Sequence, residues 1–317
     1  MEHSELSATV TCIRYLAAEI NEYELTVDDL MDSPAYSAGA HIDIKLSNGI
    51  VRQYSLIEPY VHGAPYRIAV KRATNSRGGS RFLHDNIRVG ERIRISHPRN
   101  AFSLHPEASH SVLIAGGIGI TPIWCMARQL ENNNASWDLY YAVRTRKEAA
   151  FLAELETYGS RTNIHIDSEE GGRRLDINAI VQGASPSTHF YCCGPEPMLN
   201  AFKSATEHCS SNNVHEERFE SQTPTDDKER SFTVKLARSG SEVAVLKDQS
   251  ILQALINAGV HIEHSCEMGV CGACEVSVID GIPDHRDQIL NEKERAANNT
   301  MMVCCSRSHT ESLILNL

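Results

Sequence analysis

The sequence predicts a multidomain chain: an antiparallel β-barrel, an α/β unit on a parallel sheet, and a small β-rich unit of the α+β class. Three observations carry this. The first hundred residues read as short alternating strands broken by turns. From Ser111 onward, apolar runs alternate with helical patterns. After the polar stretch 222–231, short strands return and enclose a cluster of cysteines. The boundaries expected are 1–104 for the barrel, 105–221 for the α/β unit, 222–231 for a linker and 232–317 for the last unit.

Each element has a local reason. His41-Ile42-Asp43-Ile44-Lys45-Leu46 alternates and ends in the turn Ser47-Asn48-Gly49; Tyr66 to Lys71 and Arg92 to Ser96 are further strands. No long helical pattern interrupts them, which fits a small barrel. Val112-Leu113-Ile114-Ala115 is continuously apolar, as for a strand covered on both faces. Gly116-Gly117-Ile118-Gly119-Ile120-Thr121-Pro122 follows, with Thr121 suited to an N-cap and Pro122 to the first helical position. A helix at Ile123 to Leu130, a strand at Leu139 to Val143, a helix near Ala149 to Tyr158, and strands at Asn163 to Ile166 and Thr188 to Cys192 continue the alternation. Phe232 to Leu236 and Glu242 to Leu246 are strands of the last unit. Ser250 to Ala258 is helical there, with Ile251, Leu252, Leu255 and Ile256 on one stripe.

Composition bounds the function. The chain has 317 residues, 41% of them apolar, and carries 30 basic against 41 acidic residues, a net charge of -11. That balance argues against nucleic acid as a ligand. No apolar run approaches the roughly 18 residues of a membrane span. The N-terminal Met1-Glu2-His3-Ser4-Glu5 lacks signal-peptide character, so a cytoplasmic location is expected. In a reducing compartment ten cysteines point to metal or redox chemistry rather than disulfides. Cys12, Cys125 and Cys209 stand singly and read as small buried hydrophobes.

Cys266-x4-Cys271-x2-Cys274, followed much later by Cys304, matches the plant-type spacing of a [2Fe–2S] ferredoxin. Two irons need four thiolates, and Gly269 and Gly272 let the loop bend tightly around three of them. A zinc site is the other reading, although zinc ribbons favour paired Cys-x2-Cys knuckles. Cys305 adjoins Cys304 and competes with it as fourth ligand; Cys304 is preferred.

Gly116-Gly117-x-Gly119-x-x-Pro122 between strand and helix suits the approach of a pyrophosphate to the backbone, or is a plain strand-to-helix turn. Cys192-Cys193-Gly194-Pro195 ends a later strand of the same sheet. That places Cys193, Gly194 and Pro195 beside the nucleotide site, unless the thiol is an inert core group. In the barrel, Arg52-Gln53-Tyr54-Ser55 offers a guanidinium, a ring and a hydroxyl to a phosphorylated heterocycle. Arg77-Gly78-Gly79-Ser80, with Lys71 and Arg72, offers a phosphate cradle. An exposed strand face and a surface turn remain the alternatives.

Taken in order, Arg52-Gln53-Tyr54-Ser55, Gly116 to Pro122, Cys193-Gly194-Pro195 and the ferredoxin cysteines resemble the phthalate dioxygenase reductase family, which includes vanillate O-demethylase-type reductases. Ala69-Val70-Lys71-Arg72, Asp284-His285-Arg286-Asp287 and Met302-Val303-Cys304 add to the resemblance, which covers nearly the whole chain. It implies an FMN-binding barrel, a nucleotide domain using NADH, and a ferredoxin-like β-grasp domain. It implies that Arg52, Gln53, Tyr54 and Ser55 hold the flavin, with Ala69, Val70, Lys71, Gly78, Gly79 and Ser80 around it. Thr121 lies near the ring, Gly117 and Gly119 line the nucleotide path, and Cys193 sits by the nicotinamide, so Thr121 and Cys193 are the catalytic candidates. The family often writes Phe-Glu-x-Phe before the linker. Here the run is Phe219-Glu220-Ser221-Gln222, which keeps Phe219 and lacks the second aromatic.

The activity expected is electron transfer from NADH through FMN and the [2Fe–2S] cluster to a Rieske oxygenase, by a monomer. A reductase of a soluble ferredoxin and a non-enzymatic redox sensor are the alternatives. The tip Arg144-Thr145-Arg146-Lys147 could accept a 2′-phosphate or be a solvated basic turn, whereas Asp167, Glu169 and Glu170 would repel one if they share its pocket.

Overall fold

The computed structural model describes residues 5–28, 33–47, 49–73, 78–219, 230–247, 249–267, 269, 271–287 and 289–317. Contacts divide the chain into two compact units, 1–219 and 220–317.

The first unit opens with strands β1 (Leu6–Ala17), β2 (Ile20–Val27), β3 (His41–Lys45), β4 (Val51–Ser55) and β5 (Tyr66–Lys71). A short helix α1 (Gly79–Asn86) and strand β6 (Arg92–Ile95) follow. The strands form one antiparallel sheet in the order β4-β3-β6-β1-β2-β5. It curls until its ends meet: Leu56 bridges Ile68, and the Ile57 N–H donates to Arg67 O at 3.0 Å. Alternating residues such as Ile42, Ile44, Leu25, Tyr66 and Ile68 fill the interior. The eight-residue α1 is an addition to the expected all-strand reading. Its glycine start resembles a turn, and it buries only Gly79 and Leu83. Cys12 is exposed, against expectation. A register shift between Val10 and Cys12 inserts a residue into β1 and turns that side chain outward. Cys125 is buried as expected and Cys209 only partly.

The same unit continues as β7 (His110–Gly116), α2 (Ile120–Asn132), β8 (Trp137–Val143), α3 (Leu152–Glu156) and β9 (Thr162–Ile166). Then come α4 (Ile177–Gln182), β10 (Thr188–Cys193), α5 (Glu196–Ala205) and β11 (Val214–Glu217). The sheet is wholly parallel, in the order β11-β10-β7-β8-β9. Leu113 and Ala115 of β7 face one core cluster and Val112 and Ile114 another, which is why the strand is apolar throughout. The chain leaves β7 towards β8 on one side, and β10 pairs on the other. This reversal creates a crevice at the carboxyl ends of β7 and β10.

Two helix starts differ from the sequence reading. A 3-10 turn over Gly117–Gly119 runs directly into α2, so Gly119 caps the helix and Thr121 and Pro122 lie inside its first turn. The Thr121 hydroxyl donates back to Ile118 O at 3.0 Å instead of capping. Helix α3 is shorter than expected because Phe151 takes a left-handed conformation, φ 57°, and stacks on Trp124 at 5.2 Å.

The second unit contains β12 (Phe232–Leu236), β13 (Glu242–Val245), α6 (Ile251–Asn257), β14 (Glu275–Asp280) and β15 (Pro283–Asp284). It ends with α7 (Glu292–Ala297), β16 (Thr300–Met302), β17 (Arg307–Ser308) and β18 (Ser312–Leu315). Its sheet runs β13-β12-β18-β14-β16, with β12 and β18 parallel and the other pairs antiparallel, the mixed sheet of a β-grasp domain. Ser250 caps α6 by accepting the Gln253 N–H at 3.1 Å. Ile251, Leu252, Ala254 and Leu255 are buried, while Ile256 is exposed. At 100° per residue Ile256 lies well round the helix from that stripe, and Ala254 takes its place.

Rings stack on the strand pair β10–β11. His105 lies 4.4 Å from His189, His189 lies 5.4 Å from His215, and Tyr191 lies 4.5 Å from His215. A ring-nitrogen contact of 3.1 Å joins His189 to His215. Burial, then the neighbouring imidazoles, lowers the His215 pKa to about 4, and burial lowers that of His189. An unfolded histidine takes up its proton near about pH 6.5. The stabilising neutral stack is therefore intact above that pH and is lost as the pH falls towards 4. The thermal midpoint of the protein is expected to fall over this window, and to fall less steeply in His215→Phe. An unchanged pH slope in that variant refutes the assignment.

Candidate functional site

The cysteine loop follows α6. Cys266, Cys274 and Cys304 are buried and Cys271 is partly so. Their thiols meet in a chain: Cys271 touches Cys266, and Cys304 touches both Cys266 and Cys274. Contact with Cys266 and burial push the Cys271 thiol up, contact with Cys266, Cys274 and Cys305 pushes Cys304 up, and contact with Cys304 lowers Cys274. No three ligating side chains surround a single ion position among the described residues. The four thiols gather instead as one connected group, Cys271 to Cys266 to Cys304 to Cys274, which suits a cluster whose two irons share four thiolates. Gly269, at φ 72°, has the Cys305 sulfur 2.4 Å from where a Cβ would stand. The Cys305 thiol thus flanks the loop backbone and also touches Cys304, while Cys304 itself contacts Cys266 and Cys274.

The crevice of the parallel sheet gathers the second group. A Cβ on Gly119 would stand 2.2 Å from the Cys193 carbonyl oxygen and 2.8 Å from Gly194 N. One on Gly116 would stand 2.6 Å from Pro195 Cδ. The turn after β7 therefore meets the backbone of β10 at Gly119 and the side chains of Pro195 and Met198 at Gly116. Cys193 is fully buried, and burial raises its pKa far above the ordinary thiol range, so it is a neutral thiol. Cys192 faces the other cluster. Phe219 packs against the cluster that holds Cys193.

Sequence reasoning missed Glu217. It pairs with Cys193 in the parallel ladder, and its Oε2 is buried with no hydrogen-bond partner among the described residues. Burial pushes its pKa up to about 8, so it carries a proton at neutral pH. A signal was present in the acid-x-aromatic spacing Glu217-Arg218-Phe219, which repeats the second half of Phe-Glu-x-Phe. Glu220, Ser221 and Gln222, where the motif had been placed, lie outside the described residues.

The barrel supplies the third group. Strand register puts Arg52 and Tyr54 on one face of β4 and Gln53 and Ser55 on the other, so the four do not share a face. Arg52 lies over Gly79, its Cγ 2.4 Å from a Cβ placed there. The Ser80 hydroxyl accepts the Ala73 N–H at 3.2 Å, which ties the start of α1 to the end of β5. Val70 O is 2.9 Å from His84 Nε2, and Lys71 pairs with Glu148 at 3.7 Å. Burial pushes the Tyr54 hydroxyl well up, so it stays a phenol. Gly78 precedes α1, and Arg77 lies outside the described residues. Strand β5 lies against the Gly117–Gly119 turn, and Ala69 shares a core cluster with Cys193. The flavin candidates on β5 and the nucleotide candidates of the crevice thus belong to one packed body.

The comparisons agree with this layout. The family of 2Fe-2S iron-sulfur cluster binding domains matches residues 234–309, and that of oxidoreductase NAD-binding domains matches residues 113–204. The solved structure of phthalate dioxygenase reductase superposes with a TM-score of 0.83 at 36% identity, over 100% of this chain and 99% of that one. The chain belongs to the phthalate dioxygenase reductase family. Relatives of this family include a tetrachlorobenzoquinone reductase of Sphingobium chlorophenolicum, 44% identical over 99% of this chain and 98% of the relative. A 3-chlorobenzoate-3,4-dioxygenase reductase subunit of Comamonas testosteroni is 39% identical over 100% and 98%. As a member of the family, the chain is a flavin- and iron–sulfur-dependent oxidoreductase.

Two outcomes follow from this geometry. Gly119→Ala forces a methyl against the backbone of β10 and is expected to cost about 2 kcal/mol or more in urea unfolding. A cost near zero would mean that the two turns do not touch. Cys304→Ser is expected to abolish bound iron while Cys305→Ser retains it; the reverse would reassign the fourth ligand.

Proposed function

We propose that this chain takes electrons from NADH through FMN and its [2Fe–2S] cluster to the oxygenase component of a Rieske-type aromatic oxygenase system. The observation that carries the reading is the shared packing of the β5 segment and the Gly119–Cys193 crevice within one unit, together with the meeting of four thiols within the second. The residues fit the groups: four convergent sulfurs suit a cluster, and the buried Glu217 Oε2, without a hydrogen-bond partner among the described residues, suits a place for a polar ligand. FMN accepts a hydride and releases electrons singly, and the cluster passes them on one at a time.

The chain's own residues do the placing. We assign Arg52 and Tyr54 to the flavin, with Gln53 and Ser55 reached from the other face of the strand. Ala69, Val70 and Lys71 of β5 and Gly78, Gly79 and Ser80 at the start of α1 would hold the flavin and its phosphate. Gly117 and Gly119 let the nucleotide approach backbone, and Gly194 and Pro195 close the crevice. Cys193, a neutral thiol, excludes water beside the nicotinamide. Thr121, its hydroxyl held by Ile118 O, orients the turn next to the ring. Glu217 keeps a proton at its carboxyl below about pH 8. Taking β11 as the guide, Glu217 is the acid of the family motif and Phe219 its second aromatic, so the aromatic shield is retained.

We divide the chain into residues 1–104 for FMN, 105–221 for NADH, the linker 222–231 and 232–317 for the cluster. We take it to act as a cytoplasmic monomer. No helix among the described residues is long and apolar enough to cross a membrane. The oxygenase partner is supported by the dioxygenase reductase relative. Quinone reduction is the second reading, favoured by the name of the relative from Sphingobium.

Purified protein is expected to hold about two irons and one flavin, and mass spectrometry of the released flavin is expected to give FMN. Cys271→Ser should lose the cluster yet keep NADH-dependent reduction of ferricyanide, while reduction of cytochrome c collapses. Loss of both activities in a folded variant would overturn the modular route. Faster turnover with substituted benzoquinones than with any oxygenase component would favour the second reading.

A further inference from the structure

The end of β8 contains no acid: Val143 is followed by Arg144, Thr145, Arg146 and Lys147. In parallel sheets of this type, an acid there receives the free ribose hydroxyl, and an arginine there accommodates a 2′-phosphate. By that rule the tip resembles an NADPH site, which conflicts with NADH as donor.

The neighbouring strand resolves the conflict. The ends of β8 and β9 are zipped together: the Asp167 N–H donates to Val143 O at 3.0 Å, and the Ser168 N–H to Arg144 O at 3.1 Å. This brings the acidic turn after β9 onto the basic tip. Arg146 donates from Nε to Glu169 Oε1 and from Nη2 to Glu169 Oε2, both at 2.9 Å. Its remaining Nη1 lies 3.6 Å from Glu156 Oε1. The guanidinium fork, which would otherwise grip a phosphate in two places, is fully engaged by carboxylates.

The pair does little for stability. Arg146 and Glu169 side chains are 53% and 49% exposed, and ion pairs so exposed contribute roughly 0–1 kcal/mol. Its consequence lies in recognition. A 2′-phosphate would have to displace Glu169 from Arg146 and then sit beside the displaced carboxylate, whereas a free hydroxyl displaces nothing.

Resting on the reading of this crevice as the nucleotide site, we propose that Glu169 is a specificity-determining residue: by occupying Arg146 it replaces the acid missing from β8 and excludes nucleotides bearing a 2′-phosphate. The acid that discriminates therefore comes from the next strand and acts through an arginine.

Calorimetry on the holoprotein would compare 5′-AMP with adenosine 2′,5′-bisphosphate, alongside kcat/KM for NADH and NADPH. The wild type is expected to favour 5′-AMP and NADH. In Glu169→Gln both ratios should shift about tenfold towards the 2′-phosphate, the effect of one charge-assisted contact. In Glu169→Gln with Arg146→Ala the shift should vanish. An unmoved ratio in the single variant, or a shift that survives removal of Arg146, overturns the inference while NADH reduction leaves the nucleotide site standing. If neither adenosine ligand binds and neither dinucleotide reduces the protein, the nucleotide reading and the inference fall together.

Discussion

The backbone contact between the turn after β7 and the end of β10 is the constraint on which the first unit depends. A methyl on Gly119 would overlap the Cys193 carbonyl, so the turn has to be glycine for α2 to begin where it does. That start places Thr121 inside the first turn, with its hydroxyl folded back onto Ile118. It also leaves the crevice at the switch point of the parallel sheet walled by peptide groups, which a nucleotide can approach closely. The same contact brings Cys193 to the edge of the crevice, and the β10–β11 ladder then sets Glu217 next to it.

Burial without compensation gives that crevice its chemistry. The Cys193 thiol and the Glu217 carboxyl both lose solvent and gain no cationic partner, so each keeps its proton. A neutral acid and a neutral thiol there offer hydrogen-bond donors and shape without a fixed charge. In the second unit the contrast is in the thiols themselves. Cys266, Cys271, Cys274 and Cys304 gather and compete for protons, an arrangement that becomes favourable when thiolates bind metal.

Electrostatics at the joined ends of β8 and β9 works by cancellation. Arg146 would advertise a phosphate site in isolation, and Glu169 removes it from use. The exposed pair is energetically slight, yet its position at the joined ends of β8 and β9 lets a weak interaction decide which ligand charge is tolerated.

Much was legible in the sequence because it was local. The cysteine spacing, the apolar run of β7 and the strands β3, β5 and β6 depend on neighbours a few residues apart, and these strands lie where the pattern put them, whereas β1 and β2 were not placed. Helix α1 and the early start of α2 escaped because glycine-rich starts look like turns. The outward Cys12 escaped because a bulge breaks the alternation. Other features were decided only by tertiary structure. Cys304 and Cys305 are adjacent in sequence, and only the direction of each side chain separates the thiol that contacts Cys266 and Cys274 from the one that backs Gly269. Glu217 acquires meaning from β10, and Glu169 from the tip of β8. Composition and spacing thus determined which cofactor chemistry this protein can hold. The pairing of strands distant in sequence decided which acids face it, because a parallel ladder sets neighbours by register and not by order along the chain.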